Sequence, residues 1–381
     1  MFDYIVIGAG IAGCVMAERI ANILDKTVLI IEKRDHIGGN CYDYYNDAGI
    51  LVHKYGPHIF HTELKHVWEY LSAFTDWNKY HHKVLGFIDG KKIPIPFNLN
   101  SLYEIFPPIE RKQLEEKLLN KYGYGVKVPI LHLKRSEDKE IQRFAEFVYK
   151  KVFLNYTKKQ WGMEPEDLDP SVISRVPVLL SRDDCYFQDC YQGLPYEGYS
   201  KLFKNMISHP QIDIRLNTNY KEILEFNNGE IKFLGENFYG KIVFTGEIDY
   251  FFDYEFGKLP YRSLNFKMET LNQEFFQEVG TVNYPNDHKF TRITEFKHLT
   301  GQKHMKTTIA REYPQNYNPQ RGDIPYYPIP HPKFVEIYKK YKEKADKFDN
   351  LILVGRLAEY KYFNMDTVVE RALRIFKEEI Q

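Results

Sequence analysis

The run Gly8-Ala9-Gly10-Ile11-Ala12-Gly13 has the residue types and spacing to hold a pyrophosphate. In a GxGxxG segment the first glycine makes a tight turn and the second admits a phosphate to the backbone. The third lets helix and strand pack closely. The N–H groups that open the following helix then face the anion with a partial positive charge. Glu32 lies about 20 residues on, where a carboxylate meets ribose hydroxyls. Gly8, Gly10, Ile11, Ala12, Gly13, Glu32 and its neighbour Lys33 are therefore candidates for binding a dinucleotide.

The continuation separates FAD from NAD. After Lys33-Arg34 comes His36-Ile37-Gly38-Gly39-Asn40. Arg34 alone leaves NADP open, because an arginine there can meet a 2′-phosphate. The Gly-Gly pair just past the acidic strand end resembles the glycine extension of flavoproteins with two dinucleotide-binding elements, and Gly39 and Asn40 join the expected FAD site. Its backbone approaches the cofactor where a side chain would clash. Val243-Phe244-Thr245-Gly246 is an apolar strand of the kind that returns to a nucleotide. Leu353-Val354-Gly355-Arg356 ends in a glycine and a cation that suit a pyrophosphate.

Local elements must hold these residues in place. Asp3–Ile7 reads as a buried parallel strand, Ile11–Leu24 as a helix and Thr27–Glu32 as the next strand, a βαβ start. Phe87–Phe97 reads as a hairpin turning at Asp-Gly. From Ser101 to Lys159 the pattern is helical, with amphipathic segments at Arg111–Lys121 and Glu137–Val152. Strands are expected at Ile212–Leu216, Ile231–Leu234 and Lys241–Phe244, and several between Tyr261 and Tyr313. A helix over Phe334–Asp346, a strand at Leu351–Gly355 and a helix over Asp366–Glu379 close the chain. Parallel-type strands at both ends imply an α/β dinucleotide fold interrupted by insertions.

Composition excludes several classes. The 381 residues carry 52 basic and 52 acidic side chains, so the formal net charge is zero. No basic field invites nucleic acid, and an anionic ligand must be met by a few local arginines. Cys14, Cys41, Cys185 and Cys190 form no CxxC pair and no Cys/His spacing for zinc, so reduced thiols and no metal are expected. The start of the chain lacks a signal-peptide pattern, and no apolar stretch reaches about 18 residues, so membrane insertion is not expected and a cytoplasmic location is.

Beyond these motifs, many unusual blocks follow one another in a familiar order. They are IEKRDHIGGNCY (31–42), VHKYGPHIFHT (52–62), YTKKQWG (156–162), RVPV (175–178), CYFQDCYQGLPYEGY (185–199), TGEIDYFFDYEFG (245–257), YRSL (261–264), TRITEFKH (291–298), REYP (311–314), PYYP (325–328) and GRLAEYKYFNMD (355–366). On these blocks the chain resembles the prokaryotic UDP-galactopyranose mutases nearly end to end.

The resemblance implies a discontinuous Rossmann-like FAD-binding domain with an inserted helical bundle and an antiparallel β-sheet domain. The expected bounds are 1–75 with 196–248 and 345–381, then 100–170, then 76–99 with 171–195 and 249–344. It implies interconversion of UDP-galactopyranose and UDP-galactofuranose without net redox, through a covalent link between the anomeric carbon and N5 of reduced FAD. The product would feed cell-surface polysaccharide. An external reductant such as NAD(P)H would prime the flavin, and a homodimer or higher homo-oligomer is implied.

Residue by residue, Arg175 and Arg292 match the clamp on the diphosphate, with Arg175 on a mobile lid. Arg262 is a weaker third arginine for substrate, with a structural role as its alternative. Tyr186, Tyr327 and Tyr362 match hydroxyl donors to the diphosphate. Tyr156 and Trp161 match residues near uracil and galactose. His58 and His61 are placed near flavin and sugar and, with Arg175 and Arg292, make up the expected catalytic set. Ile59, Gly355, Arg356, Tyr362, Asn364 and Met365 join His58 in the expected cofactor site. Two positions depart from the family pattern: Asn364 stands where an acidic residue is usual, and Asn155 where glycine is common. A UDP-N-acetylgalactopyranose mutase, a flavin oxidase and a non-catalytic nucleotide-sugar binder stay open as alternatives.

Overall fold

The computed structural model describes residues 2–168, 177–227 and 230–381. A five-stranded parallel sheet runs in the order Ile212–Arg215, Val28–Ile31, Tyr4–Ile7, Lys241–Phe244, Leu351–Leu353. Strands buried on both faces can be apolar throughout, which is why VLII and YIVI read without alternation. Register still divides them. Val6, Ile30 and Val243 pack against helices Ile11–Leu24, Tyr199–Met206 and Met365–Ile375. Ile5, Leu29 and Phe244 face the opposite way, into a core with Tyr220, Phe251 and Tyr341. The helix Pro332–Ala345, which the sequence groups with the antiparallel region, packs on this second face through Tyr341 and Ala345.

A seven-stranded sheet forms the second layer. Its order is Tyr327–Pro328, Tyr261–Leu271, Thr307–Asn316, Arg292–Glu295, Thr281–Asn283, Val84–Ile88, Lys91–Ile95. The pair Thr281–Asn283 with Val84–Ile88 is parallel; the others are antiparallel. Asp89 (φ 49°) and Gly90 (φ 81°) close the hairpin between the last two strands. Positive φ at both central positions is the mirror-image turn whose twist suits a two-residue hairpin. The strand pair starts at Val84, three residues before the hairpin read from sequence, because Val84 and Ile88 bury against the helical core.

The helical insertion packs Leu102, Leu114, Leu118, Phe144 and Val148 into one core with Phe97 and Ile93 of the hairpin. One long helix of it begins as Lys139–Val148, widens through the π-helical turns Tyr149–Leu154, and continues as Asn155–Trp161. Tyr156, Thr157, Gln160 and Trp161 all line one cleft. The i, i+4 spacings 156/160 and 157/161 put them on one stretch of helix surface. A small three-stranded sheet joins Phe60–Thr62, Tyr191–Pro195 and Trp77–Lys79, and Phe60 and Trp77 pack into the core of the parallel-sheet layer. Among the described residues no helix is long and apolar enough to cross a membrane.

Candidate functional site

Two cavities meet at the centre of the molecule. The first, about 480 Å³, opens at the carboxyl ends of four parallel strands, where Ile7-Gly8, Ile31-Glu32, Phe244-Thr245-Gly246 and Gly355 lie. Ligands of open α/β sheets bind at this edge. Helix Ile11–Leu24 starts here behind Gly10 with no side-chain cap and no acidic residue in its first turn. Its first N–H groups therefore face the cavity unneutralised.

Each glycine of the loop answers a different contact. A Cβ at Gly13 would lie 1.9 Å from the Gly8 carbonyl oxygen, so helix and strand touch there. Gly8 has φ +104°, and a Cβ would meet Thr245 Oγ1 at 2.1 Å. Gly10 is unlike both. Its φ is −77°, and a Cβ would meet only Gly39 Cα, at 3.8 Å. Neither backbone nor packing calls for glycine at position 10, so the space left open is space for a ligand. Gly39 (φ +56°) closes on Gly10, with a Cβ-to-Cα approach of 2.8 Å, and so joins the two glycine loops. Gly13 and Gly39 shape the cavity from behind and do not line it.

Glu32 is 6% exposed, and its carboxylate accepts from the N–H of Ala9 (2.8 Å) and of Arg34 (2.9 Å). It fixes the glycine loop first, and its remaining lone pairs face the cavity it lines. Arg34 donates to Asn40 Oδ1 at 2.9 Å and leaves Nη1 buried without a partner. Lys33 lines the cavity with its ammonium near Glu247 (3.4 Å). Tyr220, Tyr250, Tyr254 and Tyr317 also line it, flat rings suited to a planar base. The sequence reading assigned none of these four.

The second cavity, about 780 Å³, lies between the antiparallel sheet and the helical insertion. It gathers His58, Ile59, His61, Tyr156, Trp161, Tyr186, Arg292, Tyr327, Arg356, Tyr362, Asn364 and Met365. Asn40, His58, Tyr326, Arg356 and Met365 line both cavities, so one opens into the other. Arg175 lies outside the described residues.

Arg292 owes its place to sheet register. Asn283, Arg292, Glu312 and Phe266 form one cross-strand row. Arg292 Nε donates to Glu312 Oε2 at 2.8 Å, and Glu312, 1% exposed, also accepts from Thr291 Oγ1 at 3.1 Å. Burial pushes the guanidinium pKa down, but Glu312, Tyr156 and Tyr327 raise it more, so the net shift is strongly upward. Arg292 is therefore a fixed cation whose outer nitrogens face the cleft. Burial raises the pKa of Tyr156, Tyr186 and Tyr327, partly offset by Arg292, so all three remain hydroxyl donors at neutral pH.

Arg356 sits at the junction of the cavities. Its guanidinium donates to the carbonyls of Tyr326 (3.0 Å) and Phe363 (3.1 Å), and lies against the rings of Tyr327 and Tyr362 at 5.4 and 5.2 Å. Those two rings stack at 5.4 Å, and Trp161 closes the group at about 6 Å from each. His58 Nδ1 donates to the Gly56 carbonyl at 2.8 Å, which leaves Nε2 an acceptor. Burial first, then the neighbouring His53, Arg356 and Arg292, push its pKa down to about 3. His58 is neutral at pH 7.

Arg262 takes the structural role and not the substrate one. It is 4% exposed and does not line the cleft. It donates to the carbonyls of Gln160 (2.8 Å) and Lys159 (3.1 Å) and to Asn316. Gly162, at φ 66°, ends that helix, and a Cβ there would lie 2.7 Å from Arg262 Nη1. Arg262 therefore caps the helix that carries Tyr156 and Trp161.

Other residues in the cleft carry signals the sequence did not assign. Gln160 Oε1, Thr281 Oγ1 and Asn283 Oδ1 are buried without hydrogen-bond partners, and all three residues line the cavity. Native structures rarely leave such atoms unpaired, so these three offer partners to a polar ligand or to ordered water in the cleft. His82, 5% exposed, is driven by burial to a pKa of about 3 and bonds the Tyr80 hydroxyl at 3.1 Å. Among the described residues no cluster of His, Cys, Asp or Glu is arranged to hold a metal ion.

Known proteins match this architecture. A family model for UDP-galactopyranose mutase matches residues 151–362, and one for an NAD(P)-binding Rossmann-like domain matches residues 6–74. A UDP-galactopyranose mutase of Mycoplasma genitalium is 38% identical over 97% of this chain and 92% of its own length. A dTDP-fucopyranose mutase of Escherichia coli is 34% identical over 98% and 97%. A crystal structure of reduced UDP-galactopyranose mutase superposes with a TM-score of 0.75 at 16% identity, covering 98% of this chain and 92% of that one. With a dinucleotide cavity opening onto a cleft of arginine, tyrosine and histidine, the chain belongs to the UDP-galactopyranose mutase family.

Proposed function

We propose that this protein interconverts UDP-galactopyranose and UDP-galactofuranose, with FAD in the first cavity and the nucleotide-sugar in the second. The observation that carries the reading is the shared wall of the two cavities: His58, Arg356 and Met365 face both. A cofactor ring reaching that wall meets a sugar held in the cleft. In reduced form the flavin would supply a nucleophilic nitrogen to the anomeric carbon.

The chain's own residues then have separable tasks. Arg292 stabilises the negative charge of the departing diphosphate, with the hydroxyls of Tyr156, Tyr186, Tyr327 and Tyr362 as further donors. Arg175 has the same role as Arg292 on this reading. Trp161 and Tyr156 flank the sugar and the uracil. Gln160, Thr281 and Asn283 offer unpaired acceptor oxygens to an imide N–H or to hydroxyls. Neutral His58 presents an acceptor nitrogen at the junction without adding charge. Gly8, Gly10, Ile11, Ala12, Glu32, Lys33, Asn40 and Gly355 bind FAD, and Gly13 and Gly39 shape its loops.

The remaining expectations belong to the same proposal. An external reductant such as NAD(P)H primes the flavin, the protein works in the cytoplasm as a homo-oligomer, and the product serves cell-surface polysaccharide. The E. coli relative named for a dTDP-fucose substrate makes the choice of sugar and base part of the test. Dithionite-reduced protein is given UDP-galactose, UDP-N-acetylgalactosamine and dTDP-fucose, and the products are separated by HPLC. The furanose form of UDP-galactose is the expected product. Conversion of another sugar alone would move the assignment within the family, and conversion of none would remove it.

A further inference from the structure

The imidazole of His61 is held on three sides. Its backbone lies in strand Phe60–Thr62, with His61 opposite Gln192 on Tyr191–Pro195. One ring face stacks on Phe187 at 3.7 Å between centroids and 13° between planes. Nδ1 lies 3.1 Å from Asp189 Oδ2. The loop carrying Phe187 and Asp189 is braced in turn: Gln192 Nε2 donates to the carbonyls of both, at 3.2 and 2.8 Å. His61, Phe187 and Asp189 all line the substrate cleft. Nε2 has no hydrogen-bond partner among the described residues.

We propose that Asp189 is a positioning residue: it fixes the His61 proton on Nδ1 and so turns the Nε2 lone pair toward the substrate cleft. A carboxylate is an acceptor only, so its partner nitrogen must donate, and in a neutral imidazole the other nitrogen then accepts. The hydrogen bond from His61 is the first cause holding the Asp189 carboxyl below its usual range, which keeps it ionised at neutral pH. His82, Lys127 and Cys190 are the other ionisable groups that interact with the pair. A fixed acceptor at this point suits the reaction proposed above, since ring opening and reclosure through a different oxygen require one sugar hydroxyl to give up a proton and the released ring oxygen to gain one. That use of Nε2 rests on the mutase reading; the tautomer does not.

Nitrogen-15 NMR of histidine-labelled holoprotein, assigned with His61→Gln, reads the tautomer without turnover. Protonation at Nδ1 of His61 is expected, and protonation at Nε2 would overturn the proposal even if the mutase reaction is confirmed. Kinetics supply the second test. Asp189→Asn offers Nδ1 an amide that can donate, so kcat should fall by at least about tenfold while KM stays within about threefold. Added to His61→Gln it should cost less than about twofold more, because both changes remove one unit. Independent multiplication of the two losses, or an Asp189→Asn kcat within about twofold of the parent, contradicts the assignment. If Asp189→Asn does not fold, the tautomer of the unaltered protein decides alone.

Discussion

At the scale of single residues, two glycines of one motif make opposite predictions. Gly10→Ala adds a Cβ that touches nothing closer than 3.8 Å in the protein. The cofactor-free fold should therefore keep its stability to within about 0.5 kcal/mol, while flavin content, read from absorbance, should fall several-fold. Gly13→Ala drives a Cβ to 1.9 Å from the Gly8 oxygen, and should lower stability by about 1–3 kcal/mol whether or not cofactor is present. Arg292 supplies the corresponding test in the cleft. Arg292→Ala should cost about 10²–10³ in kcat. It should also lower stability by about 3 kcal/mol, because Glu312 is left buried and unpaired. Adding Glu312→Gln should restore the melting temperature and leave turnover low. Recovery of turnover in the double variant would show that Arg292 acts only through the fold.

At the scale of elements, the helix Asn155–Trp161 is the part most exposed to a distant change. Arg262→Leu removes the donors to the Lys159 and Gln160 carbonyls. The loss should be about 2–4 kcal/mol of stability, with a raised KM for the nucleotide-sugar as Tyr156 and Trp161 loosen. An unchanged KM in a correctly folded variant would place the helix end beyond Arg262's influence. This element also shows where sequence reading stops. The GxGxxG segment and Glu32 are legible because strand, turn and helix are consecutive in the chain. Arg262 meets its carbonyls across 102 residues, and Arg292 meets Glu312 through a cross-strand pair. Glu312 and Asp189 lay inside the blocks REYP and CYFQDCYQG, yet nothing local says which cation or imidazole each one faces. The π-helical turns at Tyr149–Leu154 leave no clear periodic signature either, and there the expected helix boundaries drift from the observed ones.

At the scale of the whole molecule, three histidines held neutral by burial tie stability to pH. His53 has a pKa pushed by burial to about 4, and His58 and His82 each have one of about 3. Unfolded, each titrates near its ordinary value of about 6.5. All three are neutral in the fold, so the stability they contribute is full above that value and is lost as pH falls toward the folded values. Each should lose about 1.4 kcal/mol per pH unit below about 6.5, or about 6 kcal/mol for the three by pH 5. Urea unfolding at several pH values should give this slope, and His82→Asn should reduce it by roughly a third. The joined cavities impose the larger claim, that a dinucleotide in one serves chemistry on a nucleotide-sugar in the other without being consumed. Its most direct test is to reduce the flavin-loaded protein anaerobically, remove the reductant, add UDP-galactose, and follow flavin absorbance and product together. The account predicts many turnovers to the furanose with the flavin still reduced at the end, and no turnover by the oxidised protein. Turnover that reoxidises the flavin in step with product, or equal turnover by oxidised protein, would contradict it.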